Sequence, residues 1–333
     1  MGLNLSAKLS PYMTANAQTD MVANMPKTVT PVKDLLFPPA HQRQKTSPFV
    51  KISEVSAQTG AIPLNIRGTQ SYAVGGNGSG NQLIEVQPVN PSNFCSAKEV
   101  NDLIALGDKE SIQQFVQDQE QQLLDVVSNT TETLVRQALS GKISYPVFNG
   151  TNVDGKVEIK LGDLAVNDAV DISKADIAVL QNVFAGMYQK QAKTGGGVDI
   201  AFLIGTKVYS AILKIAIASG NLANVIMTPT SDGFKFLNQY HCISMPYTYV
   251  LPKEGSNEIP VIPENCIQTV DLANPGILFY AAVDDLKANL APLPFFVKPV
   301  DSDDPSGIKF VGQSKPLPAM AMARMTRTTF KTA

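Results

Sequence analysis

Histidine is almost missing from this 333-residue chain, which carries only His41 and His241. Imidazole is the usual general base and metal ligand near neutral pH, so the first route to chemistry is nearly closed. Neither histidine has a nucleophile beside it in sequence, and no HExxH, GxSxG or HRD pattern occurs. Cys95, Cys242 and Cys266 are too few and too scattered for a disulfide framework or a CxxC zinc site, and are expected as small buried hydrophobes in a reducing compartment. Asp301, Asp303 and Asp304 form the one acidic knot; it offers oxygens to a calcium ion, but a solvated loop is the expectation. The glycine-rich stretch 75–81 is not followed by a helix start, and 194–197 precedes its strand, whereas phosphate-binding loops follow one. Gly141-Lys142 is followed by Ile143, so the metal-binding hydroxyl of a P-loop is absent. These residues predict no catalytic, cofactor or metal site.

Composition points the same way. Hydrophobic residues make up 44% of the chain, enough for a sizeable core and more than one structural unit. The formal charge of -2 leaves no excess of cations with which to grip a nucleic-acid backbone. No run approaches the ~18 apolar residues of a membrane span, and the N-terminus lacks the apolar region of a secretion signal, which predicts a cytoplasmic chain without membrane contact.

The elements carry more information than the reactive side chains. Residues 1–48 read as an extended, mildly basic arm, with Leu35, Leu36 and Phe37 as an apolar cluster that docks it on a surface. FVKISEV from Phe49 alternates like a strand. A long hairpin is predicted from 62–74 paired with 82–89, joined by the flexible tip 75–81. An isolated two-stranded hairpin is marginal in water at best, so this one needs a neighbour to lie on. Arg67, Tyr72, Gly76, Asn77, Gly78 and Glu85 are its candidate inter-subunit contacts.

One long helix is then predicted from Ser111, with Ser111 and Gln114 as capping box, to a stop at Gly141. Val116, Leu123, Val127, Leu134 and Ala138 give it one narrow apolar stripe, and its length is roughly 43 Å. Ser128, Asn129, Thr130 and Thr131 put four poor helix formers in its middle, a candidate bend. Asn149-Gly150 and Asp154-Gly155 read as tight turns beside short strands. A new unit starts near Leu164. In it, Ser173 with Asp176 caps a helix, VDIAFLI is a buried strand, and a second amphipathic helix from Thr206 ends at Gly220. Strand patterns at 241–250, 267–272 and 277–283 follow, and alternation returns in the tail.

That order resembles the major capsid protein of tailed bacteriophages, and more narrowly the lambda-type major head protein family. The resemblance is carried by LVRQALSGKISYPVFNG with VEIKLG, VDIAFLIGTKVYSAI, FKFLNQYHCISMPYTYV, IPENCIQTVDL, GILFYAAVDDL and IKFVGQSKPLPAMAMARMTRTTFKTA. It implies an α+β, Hong Kong 97-type fold: an N-terminal arm (1–48), an E-loop with its leading strand (49–95), a P-domain with the spine helix (96–162), an A-domain (163–291) and C-terminal P-domain strands (292–333). It also implies hexamers and pentamers in an icosahedral shell around double-stranded DNA, assembled in the host cytoplasm with a scaffolding protein, a portal and a decoration protein. The spine would bend at 128–131 in a precursor shell and straighten as the shell expands. Some relatives join a hairpin Lys covalently to a neighbour's Asn; here no Lys lies between Lys51 and Lys98, so a non-covalent lattice is expected. Two other readings stay open: an encapsulin-like shell around a protein cargo, and an α/β enzyme with an unusual arm.

Overall fold

The computed structural model describes residues 25–51, 83–105, 109–172, 175–193, 197, 199–220, 223–252 and 257–331. A short helix, α1 (Pro31–Leu36), leads through a 3-10 turn to β1 (Gln42–Lys45) and β2 (Phe49–Lys51). Then come β3 (Leu83–Glu85), β4 (Ser92–Ser96), α2 (Ala97–Ala105), and the spine helix α3 (Lys109–Ala138). At ~1.5 Å per residue α3 runs about 45 Å. It is followed by the hairpin β5 (Lys142–Phe148) and β6 (Val153–Lys160), then β7 (Ala165–Asp171), α4 (Ile177–Lys193), β8 (Ile200–Ile204), α5 (Thr206–Ala218) and α6 (Ala223–Ile226). Short strands β9 (Met227–Pro229), β10 (Gly233–Phe236), β11 (Tyr240–Ser244), β12 (Thr248–Tyr249) and β13 (Ile259–Pro260) lead to β14 (Cys266–Asp271) and β15 (Gly276–Ala281). The chain closes with β16 (Phe296–Asp303), β17 (Ser306–Gln313), β18 (Pro316–Met320) and β19 (Thr326–Lys331).

The spine helix begins at Lys109, so Ser111 lies inside it and is not its cap; Gln114 instead donates to Asp118 one turn on, at 2.8 Å. The reciprocal capping box sits at α2, where the Ser96 amide donates to the Glu99 carboxylate at 2.8 Å and the Glu99 amide to the Ser96 hydroxyl at 3.3 Å. The Ser96 amide foremost, and then the Ser96 hydroxyl that donates to the same carboxylate at 2.9 Å, hold the Glu99 carboxyl below its usual pKa. The spine stops where predicted. Gly141 has φ +86°, and a Cβ there would sit 2.7 Å from the Gly162 carbonyl oxygen, so only glycine fits. The freed Leu139 carbonyl accepts from Gln268 Nε2 at 2.9 Å, which ties the helix end to β14.

A seven-stranded sheet in the order β7-β19-β14-β8-β11-β10-β9 divides two cores. Every residue of β8 is buried, and its alternation serves both sides. Phe202 and Ile204 meet Leu180, Phe184, Val208 and Ile212 of α4 and α5. Ala201 and Leu203 face the main core, which gathers α1, the spine's C-terminal half, the β5–β6 hairpin and the sheet β1-β15-β18. A third cluster lies between the spine's first turns and the sheet β16-β17-β4. The class is α+β.

Three sequence expectations change, and a fourth is described on one side alone. Residues 31–36 are helical, not extended. Leu83–Glu85 pairs with Phe49–Lys51, while the expected partner 62–74 lies outside the described residues. Asp154 and Gly155 lie within β6, where the ladder with β5 shifts register, so Gly155 at φ +83° serves a bulge and not a turn. The cap of α4 is Asp176, whose carboxylate accepts from the Val179 amide at 2.8 Å.

Candidate assembly interface

The spine helix offers one polar face to the arm, and the arm lies along it. Gln121, Asp125, Glu132 and Arg136 are spaced by four and seven residues, which aligns them on one side of a 3.6-residue helix. Gln121 Nε2 donates to the Pro26 carbonyl at 3.2 Å, and the Thr28 hydroxyl donates to Asp125 Oδ1 at 2.5 Å. Further along, the Glu132 carboxylate accepts from the Val32 amide at 3.0 Å and the Lys33 amide at 2.8 Å. Helix α1 has no side-chain cap of its own. Glu132 supplies one from another element, placing negative charge where unpaired N–H groups and the positive dipole end converge.

Glu132 is itself held. Arg136 Nε and Nη2 each lie 2.9 Å from Glu132 Oε1, with the two side chains 17% and 5% exposed. The same guanidinium donates to the Thr248 carbonyl and stacks 5.6 Å from the centre of the Tyr247 ring. A buried carboxylate with one charged partner and two amide donors meets the condition under which such a pair is tolerated. Below this clamp the apolar cluster is placed plainly: Leu36 and Phe37 are fully buried in the main core, and Leu35 packs at its margin.

Residues 128–131 sit at the middle of this face in an unbroken helix. The Thr130 and Thr131 hydroxyls both donate back four residues, to Val126 and Val127 carbonyls at 2.8 Å, and Thr133 does the same to Asn129 at 2.9 Å. Hydroxyls in this arrangement weaken helix bonds and often bend the axis. Ser128 and Thr131 line a groove of about 910 Å³ between the arm, the spine and the 293–297 segment. Thr130 lines a second groove, of about 410 Å³, with Tyr145, Leu134 and Pro316. The tetrad is thus flanked by open space on both sides.

The predicted hairpin is described only at its base. Val50 and Ile84 face each other and are buried in the main core, while Glu85 is exposed opposite Phe49. Arg67, Tyr72, Gly76, Asn77 and Gly78 lie outside the described residues.

The residues tested first for chemistry are scattered. His241 Nε2 lies 2.9 Å from Asp232 Oδ2, whose other oxygen accepts from the Thr230 hydroxyl, and adjacent Cys242 is fully buried. Burial pushes the Cys242 thiol well up and the Cys95 thiol to about 11, which makes both inert as nucleophiles. Among the described residues no group of three or more His, Cys, Asp or Glu is placed to hold a metal ion. Asp301 and Asp303 lie along β16.

Sequence reading missed Glu120 and Glu132, both buried. The signal was available for the first: Val116 and Leu123 are separated by seven residues, and Glu120 fills the gap between them on the same stripe. For the second the local signal is Arg136 one turn on, an ordinary surface pattern, while the amides it caps lie 100 and 99 residues away.

A family model described as phage major capsid protein E matches residues 14–330. A protein assigned as a capsid protein of a prophage in E. coli CFT073 has a similar structure, with a TM-score of 0.63 at 13% identity over 96% of this chain and 99% of that one. A phage-related protein from Bordetella bronchiseptica RB50 gives a TM-score of 0.52 at 10% identity, over 95% and 97% of the two chains. At such identities the likeness is one of fold. No curated protein sequence matches.

Proposed function

Because the chain belongs to the phage major capsid protein E family, we propose that its work is assembly, each subunit being completed by its neighbours. It is a phage major capsid protein with a Hong Kong 97-type fold. In the proposed shell, hexamers and pentamers close an icosahedral head around double-stranded DNA. The near-neutral charge suits a container whose wall must not grip its contents. Segment 49–95 acts as the E-loop, 96–162 with the C-terminal strands from 292 as the P-domain, and 163–291 as the A-domain. Arg67, Tyr72, Gly76, Asn77, Gly78 and Glu85 make contacts between subunits, and the arm docks through Leu35, Leu36 and Phe37. The scaffolding, portal and decoration proteins act on this lattice in the host cytoplasm.

The observation that carries the proposal is the anchoring of the E-loop. Among the described residues, Phe49–Lys51 pairs with Leu83–Glu85, and Val50 and Ile84 carry that base into the main core. A loop rooted there and exchanged between copies would enlarge the interface without enlarging the core. Nothing described favours catalysis over this role. Electron microscopy of the expressed full chain tests it: closed shells are expected, with nucleic acid as content in infected cells. A homogeneous monomer or small oligomer at high concentration would overturn it, and a protein cargo in place of nucleic acid would overturn the DNA-container reading.

A further inference from the structure

The third core cluster contains one residue that does not belong there on polarity. Glu120 is 1% exposed, and neither carboxylate oxygen has a hydrogen-bond partner. It lies one turn after Val116 and just under one turn before Leu123, both buried in the cluster with Ile308, Phe310 and Val297. An ionised carboxylate in such a place is strongly disfavoured, and a neutral one loses only its hydrogen bonds.

Among the described residues no charge is paired with it to offset that. On β17, Ile308, Phe310 and Gly312 point inward while Lys309 alternates outward and is exposed. On β16, Lys298 is taken by Asp285, and Asp301 and Asp303 lie at the strand's far end. On β4 the titratable group is Cys95, whose thiol stays neutral. On α2, Lys98, Glu99 and Asp102 are exposed. On the spine itself Asp118 is exposed and Asp125 accepts from Thr28 and Gln121. Lys109 and Glu110 lie at the start of the helix, roughly 15 Å along the axis from Glu120.

We propose that Glu120 is a proton-controlled latch between the N-terminal half of the spine helix and the β16-β17-β4 sheet. Neutral, it lets this seam close; ionised, it drives the seam open so that the carboxylate reaches water. The groove-flanked tetrad at 128–131 begins two turns further along, so a loosened seam would free the half of the helix that precedes it. Burial pushes the Glu120 carboxyl up from 4.5 to about 7, which puts the transition in an accessible range. The closed form then holds a proton that the open form releases between those two values. The closed seam is favoured fully below about pH 4.5, and its advantage falls by up to about tenfold per pH unit as pH rises toward 7.

Hydrogen exchange of the full-length chain tests this, comparing peptides from 114–124 with control peptides from 200–204 at pH 6 and pH 8, each corrected for intrinsic exchange. In the wild type, protection of 114–124 should fall by roughly tenfold relative to the control. In Glu120→Gln, which keeps the shape without the proton, that relative fall should vanish. Glu120→Leu, which should pack without strain, must likewise be pH-independent if the glutamine variant does not fold. An invariant wild-type ratio, or a variant that falls in parallel with the wild type, overturns the latch.

Discussion

Replacing Glu132 by alanine should release the arm while leaving the rest of the subunit folded. The substitution removes the acceptor for the Val32 and Lys33 amides and the partner of Arg136. Removing one member of a buried pair costs about 3–5 kcal/mol, because the other charge and its donors are left behind. Here the loss lies toward the lower end, since Arg136 keeps the Thr248 carbonyl and the Tyr247 ring. It is also bounded by the arm's own docking energy: once 25–37 undocks, further loss no longer registers there. A loss of about 3 kcal/mol corresponds to roughly a hundredfold or more in the opening equilibrium of the arm. Amide exchange at Val32 and Lys33 reads that directly, and Glu132→Gln, which retains one acceptor oxygen, should fall between. A double-mutant cycle with Arg136→Met then separates the pair from the cap. If the Glu132→Ala arm exchanged within threefold of wild type, the capping argument would be wrong, and the arm would be held by Leu36 and Phe37 alone.

Two further outcomes follow from the spine and the sequence. Asn129→Ala with Thr130→Ala should raise helix propensity by about half a kcal/mol or less per site and favour the straight spine, so particles should expand under milder conditions; an unchanged expansion threshold would argue against a bend at 128–131. Mature particles boiled in detergent should run as one band near the 35.7 kDa chain mass, because no lysine lies between Lys51 and Lys98 and the three cysteines are buried and unpaired; a ladder of resistant multimers would reveal a crosslink.

What the sequence disclosed was whatever is decided locally. The face of α4, with Leu180, Phe184 and Met187 buried, is plain in its spacing, and Gly141 and Gly220 mark real helix ends. The buried strand at 200–204 is plain because β-branched and aromatic residues fill a run too short for a helix. Non-local decisions were hidden. Helix α1 has six residues and weak propensity, and its cap is donated by Glu132 across 100 residues, so nothing nearby announces a helix. The pairing of Leu83–Glu85 with Phe49–Lys51 is fixed by burial of Val50 against Ile84, across more than 30 residues of sequence. Glu120 is hidden because apolar residues carry the periodicity, and a carboxylate in the stripe reads as a gap. Of the site, the arm's apolar cluster was visible in sequence, while the polar ladder that aligns it was not.

The central claim is that the subunit is completed by its neighbours through the segment between β2 and β3. Deleting residues 75–81 tests it most directly, with thermal melting to follow the fold and electron microscopy with sedimentation to follow assembly. The deletion removes no described core residue, so the chain should melt within a few degrees of wild type yet fail to build closed shells. Normal shells in normal yield from the deleted chain would contradict the account.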